Sequence, residues 1–427
     1  MTGATGFLVA LLTVVGVCVL ASGLVRLALL PFVAVFEVRA RRAGPGPAGE
    51  GPLFTVPPFV SVVVPAYQEG AVIENCVRSV LRSDHDRLEV VCVDDGSSDD
   101  TYARMRRLAD EHPRVTAHRQ ENAGKGAALN RGIVASRGEV VVLVDADGLF
   151  RPDTLTELLR GFRGPGVGAV CGDDRPVNLD RTLTRMLALI SHVGTGLMRR
   201  ALDVVGCMPV VSGNIGAYRR DVLDAVGPLR TDTLGEDLEL TWRVHRAGYA
   251  VTFAPHAIVY AESPSTVRGL WRQRVRWARG LLQALDLHAD MIGRPGYGLF
   301  GPFLLYTVMA QVVTPFVQVL GGAVLAVTVT VDGPQWLPDG LWQWLLLLGL
   351  PLSFALLVLA VLLDGAARDL RLLPTVVLWP VYSTLMTFVM LEAARLELAH
   401  AENRWNKLER TGTVSITGLV DAPRSGP

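Results

Sequence analysis

This chain of 427 residues has few lysines, few cysteines and no net charge. Almost every basic residue is arginine, so lysine occurs only as Lys125 and Lys407. The 41 basic residues balance 41 acidic ones, and the chain therefore has no overall attraction to nucleic acid. Its five cysteines show no CxxC or cysteine-histidine metal spacing, and their odd number argues against a disulfide framework. We expect buried, reduced thiols in a cytoplasmic domain.

Apolar residues are abundant, at 50% of the chain, and the longest apolar runs lie towards its two ends. The first run, from Phe7 to Phe36, contains one charge, Arg26. As a helix it would be roughly 45 Å long, enough to cross a bilayer. A cleaved signal peptide is the alternative, but the run is longer than the apolar part of such a peptide. The arginines that follow it place the next segment in the cytoplasm by the positive-inside rule.

Three further apolar runs lie near the C-terminus, at about Leu299 to Val331, Leu341 to Leu363 and Leu372 to Met390. Each is a candidate for crossing the membrane. Basic residues flank the third run on both sides, and the run contains two prolines. If both flanks are cytoplasmic, this run is re-entrant or interfacial, and the number of spans therefore stays open at this stage.

Short valine-rich runs alternate with helical stretches between Phe59 and about Leu229. This alternation is typical of βαβ units. The sequence therefore predicts an α/β fold, with a Rossmann-like, mostly parallel sheet in a cytoplasmic domain and with flanking transmembrane helices.

Paired carboxylates follow two of these valine-rich runs. Asp94 and Asp95 are suited to hold a base and a ribose, and Asp145 and Asp147 can present oxygens to Mg²⁺ or Mn²⁺. Such an ion would act as a Lewis acid on a leaving diphosphate. A strand-ending turn explains either pair taken alone. Their place at the carboxyl ends of parallel strands, where open α/β sheets bind ligands, favours a site.

Two more motifs carry charges that suit a diphosphate and an acceptor hydroxyl. Lys125 lies in the glycine-rich motif ENAGKG, which does not match the spacing of an ATPase phosphate loop. Glu236 and Asp237 open a predicted helix, whose dipole favours an ionised carboxylate. Asp237 is the candidate base for the acceptor hydroxyl, and helix capping is the alternative.

The motif QRVRWARG, which begins at Gln273, lies in a predicted amphipathic helix with arginines on its polar face. Such a helix is suited to the membrane interface. Arg276 could bind a diphosphate, and Trp277 could stack on a sugar ring. An ordinary amphipathic helix explains the apolar face but neither Gln273 nor Trp277.

In this order, the motifs VVVPAYQE, VVCVDDGSSDD, ENAGKGAALN, VVLVDADG, VVSGN, DTLGEDLEL and QRVRWARG resemble those of the family 2 processive glycosyltransferases. Within that family they are most similar to the poly-N-acetylglucosamine synthases, beside the hyaluronan and chitin-oligosaccharide synthases. The resemblance covers about Phe59 to Leu285. It implies a GT-A fold and inverting transfer from a UDP-sugar.

The resemblance also distributes roles among the motif residues. It makes Asp237 the catalytic base and places the divalent cation on Asp145 and Asp147. The donor-binding residues that it implies are Asp94, Asp95, Lys125, Asp145 and Arg276, and the acceptor-binding residues are Ser212, Gly213, Glu236, Gln273 and Trp277.

The resemblance implies that the protein is a multi-pass enzyme of a bacterial cell membrane. It would add N-acetylglucosamine from its UDP donor to a growing β-linked polysaccharide and pass the product outward, and a transferase that adds one sugar to a lipid acceptor is the alternative. Membrane lipid and a small membrane subunit are the expected partners, and nucleic acid is not. The chain departs from the family in two places: GED stands where TED is more common, and only one N-terminal span is clear. It also lacks a recognisable PilZ-type domain, and this lack argues against a cellulose synthase.

The expected order of segments follows from these patterns. We expect an N-terminal transmembrane anchor over 1–38, a linker over 39–58, a GT-A catalytic domain over 59–262, amphipathic interface helices with QxxRW over 263–295, a C-terminal transmembrane region over 296–395 and a basic cytoplasmic tail over 396–427.

Overall fold

An eight-stranded sheet organises the middle of the chain in the computed structural model, which describes residues 3–43, 53–54, 56–333, 340 and 350–403. Its strands are β1 (Val60–Ala66), β2 (Leu88–Asp94), β3 (Val115–Arg119), β4 (Val140–Leu143), β5 (Leu149–Phe150), β6 (Val167–Pro176), β7 (Gly216–Arg219) and β8 (Ala250–Ala261). Their order across the sheet is β3-β2-β1-β4-β7-β6-β8-β5.

Helices surround the sheet, and short π and 3-10 segments connect some of them. The α-helices are α1 (Gly3–Ala43), α2 (Ile73–Leu81), α3 (Thr101–Glu111), α4 (Lys125–Ala135), α5 (Thr154–Arg160), α6 (Thr182–Ser191), α7 (Met198–Val204), α8 (Arg220–Val226), α9 (Glu236–Arg246), α10 (Val267–Leu287), α11 (Phe300–Thr307), α12 (Thr314–Asp332), α13 (Leu350–Leu363) and α14 (Trp379–Leu398). The π segments are His192–Leu197 and Val308–Val313, and the 3-10 segments are Ala289–Met291, Pro295–Tyr297 and Ala367–Leu378.

The sheet is mixed but mostly parallel, as the sequence predicted, and its parallel pairs include β6 with β8. Strands β3, β2, β1 and β4 are parallel as expected, but β7 runs antiparallel to both β4 and β6, and β5 runs antiparallel to β8. The prediction rested on valine-rich runs, which mark strands that are buried on both faces. Strand β7 has the sequence GAYR, without such a run, so its presence and direction were not visible in the sequence.

Both faces of the parallel half are buried, because successive side chains along a strand point to opposite faces. Val62 and Val64 of β1 pack with α2, α3 and α5. Val63 belongs instead to a core shared with α4, α9 and α10. That second core continues without a break to Phe300 in α11 and Met390 in α14, so it joins the sheet to the apolar C-terminal helices.

Two helical stretches among the described residues are long and apolar enough to cross a membrane. They are Phe300–Val331, with a mean hydropathy of 2.0, and Ala367–Leu398, with a mean hydropathy of 1.6. Helix α13 is apolar but shorter, and residues 341–349 of the same predicted run lie outside the described residues. The predicted N-terminal anchor forms part of the single 41-residue helix α1. Most of the expected linker and the tail from residue 404 onward also lie outside the description.

A buried ion network ties the two ends of the chain together. The Arg200 side chain is 2% exposed, and it donates to Glu37 of α1 at 2.8 Å and to Asp364, just after α13, at 2.7 Å. The same Asp364 carboxylate lies 2.6 Å from Nδ1 of His192. Removing one member of such a pair would leave a buried charge without its partner, which is strongly destabilising. The network therefore holds α1 and the end of α13 against α7.

We predict that His245 makes the domain less stable in acid. Burial lowers the pKa of this histidine to about 4, although its ring nitrogen bonds the Met208 carbonyl at 2.8 Å. The folded state therefore favours the neutral ring, and stability is lost as the pH falls from about 6.5 through 4. Between pH 7 and pH 5 the loss is about 2 kcal/mol.

The measurement is the melting midpoint of the detergent-solubilised protein at both pH values. His245→Gln keeps a hydrogen-bond donor but cannot titrate, so we expect a smaller difference between its two midpoints than in the wild type. Equal differences in the two proteins would contradict the prediction.

Candidate functional site

Four of the sequence motifs meet at one edge of the sheet. Because β1, β2 and β4 are parallel neighbours, the segments that follow them emerge on the same side. Asp94 closes β2 opposite Ala66 of β1, and Asp145 follows β4. Lys125 is the first residue of α4, and Glu236 is the first of α9. Of these side chains, Lys125, Asp145 and Glu236 contact one another, and Asp94 contacts Arg119.

Asp95 holds the glycine-rich loop. One oxygen of its buried carboxylate accepts from the Gln120 amide at 2.8 Å and from the Ala123 N–H at 2.9 Å. The other accepts from the N–H of Gly124 at 2.8 Å. Gly124 has a φ of 90°, which favours glycine, and it precedes Lys125 directly. Asp95 therefore determines where α4 and its lysine begin.

Asp94 lies behind a cavity beside this loop, against Arg119, one of the residues that line the cavity. Its carboxylate is fully buried, accepts from the Ser97 N–H at 3.2 Å and lies 3.2 Å from Nε of Arg119. The cavity has a volume of about 510 Å³, and it is lined by Gly96, Arg119, Gln120, Glu121 and Asn122. A carboxylate and a guanidinium side by side offer an acceptor and a donor to a planar base. Sequence reasoning missed Arg119, although it ends the strand before the glycine-rich motif.

Lys125 is surrounded by carboxylates. Its Nζ lies 2.7 Å from Asp145 and 3.2 Å from Glu236, and its side chain is 11% exposed. Burial alone lowers the pKa of this lysine, but the charges of Asp145, Glu236 and Asp237 outweigh that effect and raise the pKa above its usual value. The side chain is therefore a fixed positive charge at the centre of the site.

Gly213 brings the predicted acceptor segment into contact with this cluster. Its N–H donates to Oδ2 of Asp237 at 2.9 Å. A Cβ at position 213 would lie 2.8 Å from Nζ of Lys125 and 3.2 Å from the same Asp237 oxygen. Any other residue would therefore need the lysine to move. The second oxygen of Asp237 accepts from the Leu238 N–H at 2.8 Å.

The electrostatics of Glu236 differ from those of an exposed acid. Burial raises the pKa of Glu236, whereas the charges of Lys125 and Arg276 lower it, and the net pKa is raised. The charge of Arg276 thus acts on the cluster from α10.

The other residues of the QRVRWARG motif are placed differently. Oε1 of Gln273 is buried and has no hydrogen-bond partner among the described residues, so this oxygen is available to a ligand. Trp277 is 47% exposed, and the guanidinium of Arg274 covers its ring at 4.1 Å.

Asp147 and Asp145 have different surroundings. Asp147 is 7% exposed and accepts from the Glu262 N–H at 3.3 Å, whereas the Asp145 side chain is 32% exposed. Within the described part of the chain, no three His, Cys, Asp or Glu side chains form a metal-binding group. The protein therefore offers only part of the six-oxygen shell that Mg²⁺ requires.

Asp174 lies beside the predicted acceptor residue Ser212 and was not predicted from sequence. Burial raises its pKa to about 6, although Arg199 and the Ser212 hydroxyl oppose the rise. Its oxygen Oδ1 has no hydrogen-bond partner within the residues described. The two adjacent acids that follow the apolar run VGAVCG in strand β6 were the signal that could have revealed it.

Comparison with known proteins identifies the family. The model of a family described as "Glycosyltransferase like family 2" matches residues 57–280, slightly more than half of the chain. The chain belongs to glycosyltransferase family 2. The match includes all seven motifs from VVVPAYQE to QRVRWARG, so the predicted family and enzyme class are confirmed.

Individual relatives agree with this assignment. Poly-β-1,6-N-acetyl-D-glucosamine synthases of Staphylococcus aureus and Staphylococcus epidermidis are each 30% identical over 222 residues, which is 52% of this chain and 54% of theirs. The match thus spans about half the length of these curated relatives. A mannosyltransferase of Pyrobaculum calidifontis, solved with GDP-Man and Mn²⁺, has a TM-score of 0.62 at 25% identity. That match covers 91% of this chain and 100% of the mannosyltransferase, which supports the GT-A fold of this family 2 enzyme.

We predict that Asp95→Asn weakens nucleotide binding by roughly tenfold, because losing a charged hydrogen bond to the loop costs about 1.5–3 kcal/mol. The amide can accept only through one oxygen, so the loop that carries Lys125 loses part of its attachment. Calorimetric titration with UDP and GDP measures the affinity.

Asp86→Asn, at an exposed position outside the site, is the matched control. An affinity in Asp95→Asn equal to that of this control would show that Asp95 does not act on the nucleotide site.

Proposed function

We propose that this family 2 enzyme transfers N-acetylglucosamine from UDP-N-acetylglucosamine to a growing β-linked polysaccharide at the cytoplasmic face of a membrane. The observation that carries the proposal is the place of Gly213, whose N–H donates to Asp237 and where a Cβ would lie 2.8 Å from Nζ of Lys125. It unites a cation for the leaving diphosphate, a base for the acceptor and the acceptor-binding segment within one small volume.

The donor would lie along the carboxyl edge of the sheet. Asp94 is placed to accept an N–H of the base, and Asp95 acts by holding the loop. The ammonium of Lys125 and the guanidinium of Arg276 are the cations that would neutralise the diphosphate as its charge develops. Gln273, together with Ser212, would contact the acceptor sugar, and Trp277 would do so only if Arg274 moves from its ring.

Asp237 would remove the proton from the acceptor hydroxyl. Two backbone N–H groups, from Gly213 and Leu238, orient its carboxylate. The acceptor oxygen would then attack the anomeric carbon while the bond from that carbon to the diphosphate breaks. Glu236 stays beside Lys125 and contributes to holding the ammonium in place.

A divalent cation fits this edge of the sheet together with the donor. Asp145 and Asp147 offer carboxylate oxygens, which Mg²⁺ and Mn²⁺ prefer, and diphosphate oxygens and water would complete the shell. The mannosyltransferase relative was solved with Mn²⁺. When bound, the ion would supply Lewis acidity to the leaving diphosphate.

The apolar helical stretches support a multi-pass membrane location. Phe300–Val331 and Ala367–Leu398 are each 32 residues long, and their cores join that of the sheet through Phe300 and Met390. A polymer that leaves the acceptor site would therefore meet these helices directly. This arrangement favours coupling of synthesis to export.

A second candidate is a transferase that adds a single sugar, with GDP-mannose as one possible donor. The observation in its favour is the mannosyltransferase match, which covers almost the whole chain, whereas the matches to the synthases cover about half of it. The two candidates differ in donor and in product length, so one assay separates them.

The test is nucleotide release by the full chain in lipid vesicles with UDP-N-acetylglucosamine, UDP-glucose and GDP-mannose, with the products separated by length. We expect a long product from UDP-N-acetylglucosamine and from no other donor. A single addition from GDP-mannose would establish the second candidate, and no release with any donor would contradict both.

We predict that Asp237→Asn lowers kcat by about 10²-fold or more, because removal of a general base has effects of this size. The donor KM should change little, since the donor-binding residues lie on other elements. The matched control is Asp224→Asn, an exposed position on α8. Wild-type turnover in Asp237→Asn would exclude Asp237 as the base.

A further inference from the structure

A second network of hydrogen bonds holds the loop that leads into Glu236 and Asp237. Oε1 of Gln283, on α10, accepts from the Leu234 N–H at 2.8 Å and from the Thr233 hydroxyl at 3.1 Å. These two residues precede α9 directly. Gln283 therefore acts on the backbone within three residues of the candidate base.

The same side chain reaches the end of α14. Nε2 of Gln283 donates to Glu397 at 3.1 Å and to Oδ1 of Asn403 at 3.0 Å. Asn403 in turn donates to the carbonyl of Asp232 at 2.8 Å. The loop is thus held by α10 and by the segment after α14, and Gln283 bonds both.

Arg279 fastens that segment. Its guanidinium is buried and donates to the Glu397 carboxylate, to the carbonyl of Ala401 at 2.7 Å and to the carbonyl of Glu402 at 3.1 Å. It also donates to Oδ1 of Asn403 at 3.0 Å. A planar guanidinium with five donors can satisfy all these acceptors at once, so the chain beyond α14 has one defined path.

The backbone of α10 packs directly against the loop. A Cβ at Gly280 would lie 2.9 Å from both Cα and N of Gly235, so the two backbones are in direct contact. A shift of α10 or of the end of α14 must therefore move the loop with it.

We infer that Gln283 is a positioning residue for Asp237, and that Glu397 and Asn403 make its position depend on the C-terminal end of α14. The inference rests on the proposed role of Asp237 as the base. Helix α14 belongs to the apolar stretch Ala367–Leu398. A shift of this helix would thereby change the position of the Asp237 carboxylate without direct contact between the two.

The first test removes the hydrogen bonds but keeps the shape. Gln283→Met should lower kcat by roughly tenfold to a hundredfold, because a misplacement of about 1 Å can have that effect. The donor KM should stay within about twofold, since Lys125 and Asp94 do not contact Gln283. Hydrogen exchange of residues 231–238 should become faster.

The second test exchanges the two partners. Gln283→Glu keeps an acceptor for the Leu234 N–H but places a carboxylate against Glu397, so kcat should fall. The double variant Q283E/E397Q restores one amide and one carboxylate at the same place. We expect its kcat to return to within about threefold of wild type. Asn403→Ala should act in the same direction as Gln283→Met, and the two together should be less than additive.

Arg395→Gln, which breaks only an exposed pair within α14, is the control for general changes in that helix. Unchanged exchange of residues 231–238 in Gln283→Met would overturn the inference whether or not the enzyme turns over. So would a Q283E/E397Q protein no better than Gln283→Glu. If the wild type turns over no donor but hydrogen exchange of residues 231–238 is faster in Gln283→Met, the proposed function is refuted. The same result would still support the inference that Gln283 positions the loop before α9.

Discussion

The buried ammonium of Lys125 is the charge on which the site depends. Three carboxylates from two distant motifs, Asp145, Glu236 and Asp237, raise its pKa, and without the cation they would repel one another in surroundings of low dielectric. Because the lysine is the first residue of α4, its position follows from the loop that Asp95 holds. The glycine-rich motif of Lys125 and the motif of Glu236 and Asp237 therefore form one electrostatic unit.

The same unit constrains the elements around it. Gly213 has no room for a side chain, since a Cβ would contact the lysine. The start of α9 has a defined position because Gln283 and Asn403 bind the loop before it. The core that contains Val63 extends to Met390, so the strands that carry the acids and the apolar C-terminal helices pack as one body. Transfer and passage of a product through the membrane would then share one framework.

The sequence predicted those features that depend on residues close together in the chain. The valine-rich runs gave β1, β2 and β4, and the acids after them gave the edge where Asp94 and Asp145 meet. Motif order gave the family, which the comparisons confirm. Strand β7 was missed because GAYR carries no apolar run, and the sheet is consequently mixed.

The remaining contacts join residues that are far apart in the chain. Asp95, which we predict to contact the nucleotide, also accepts hydrogen bonds from Gln120, Ala123 and Gly124, and only the folded loop reveals these bonds. Gln283 and Asn403 are 120 residues apart. No spacing rule connects such positions, because their proximity results from the packing of α10 against α14.

Diffraction from crystals grown with UDP and Mn²⁺, measured at a wavelength where manganese scatters anomalously, tests the account most directly. We expect one manganese peak at Asp145 or Asp147, with the diphosphate in contact with both the ion and Nζ of Lys125 and the base beside Asp94. Manganese elsewhere, or a diphosphate out of contact with Lys125, would contradict the claim that this buried ammonium and its carboxylates form the transfer site.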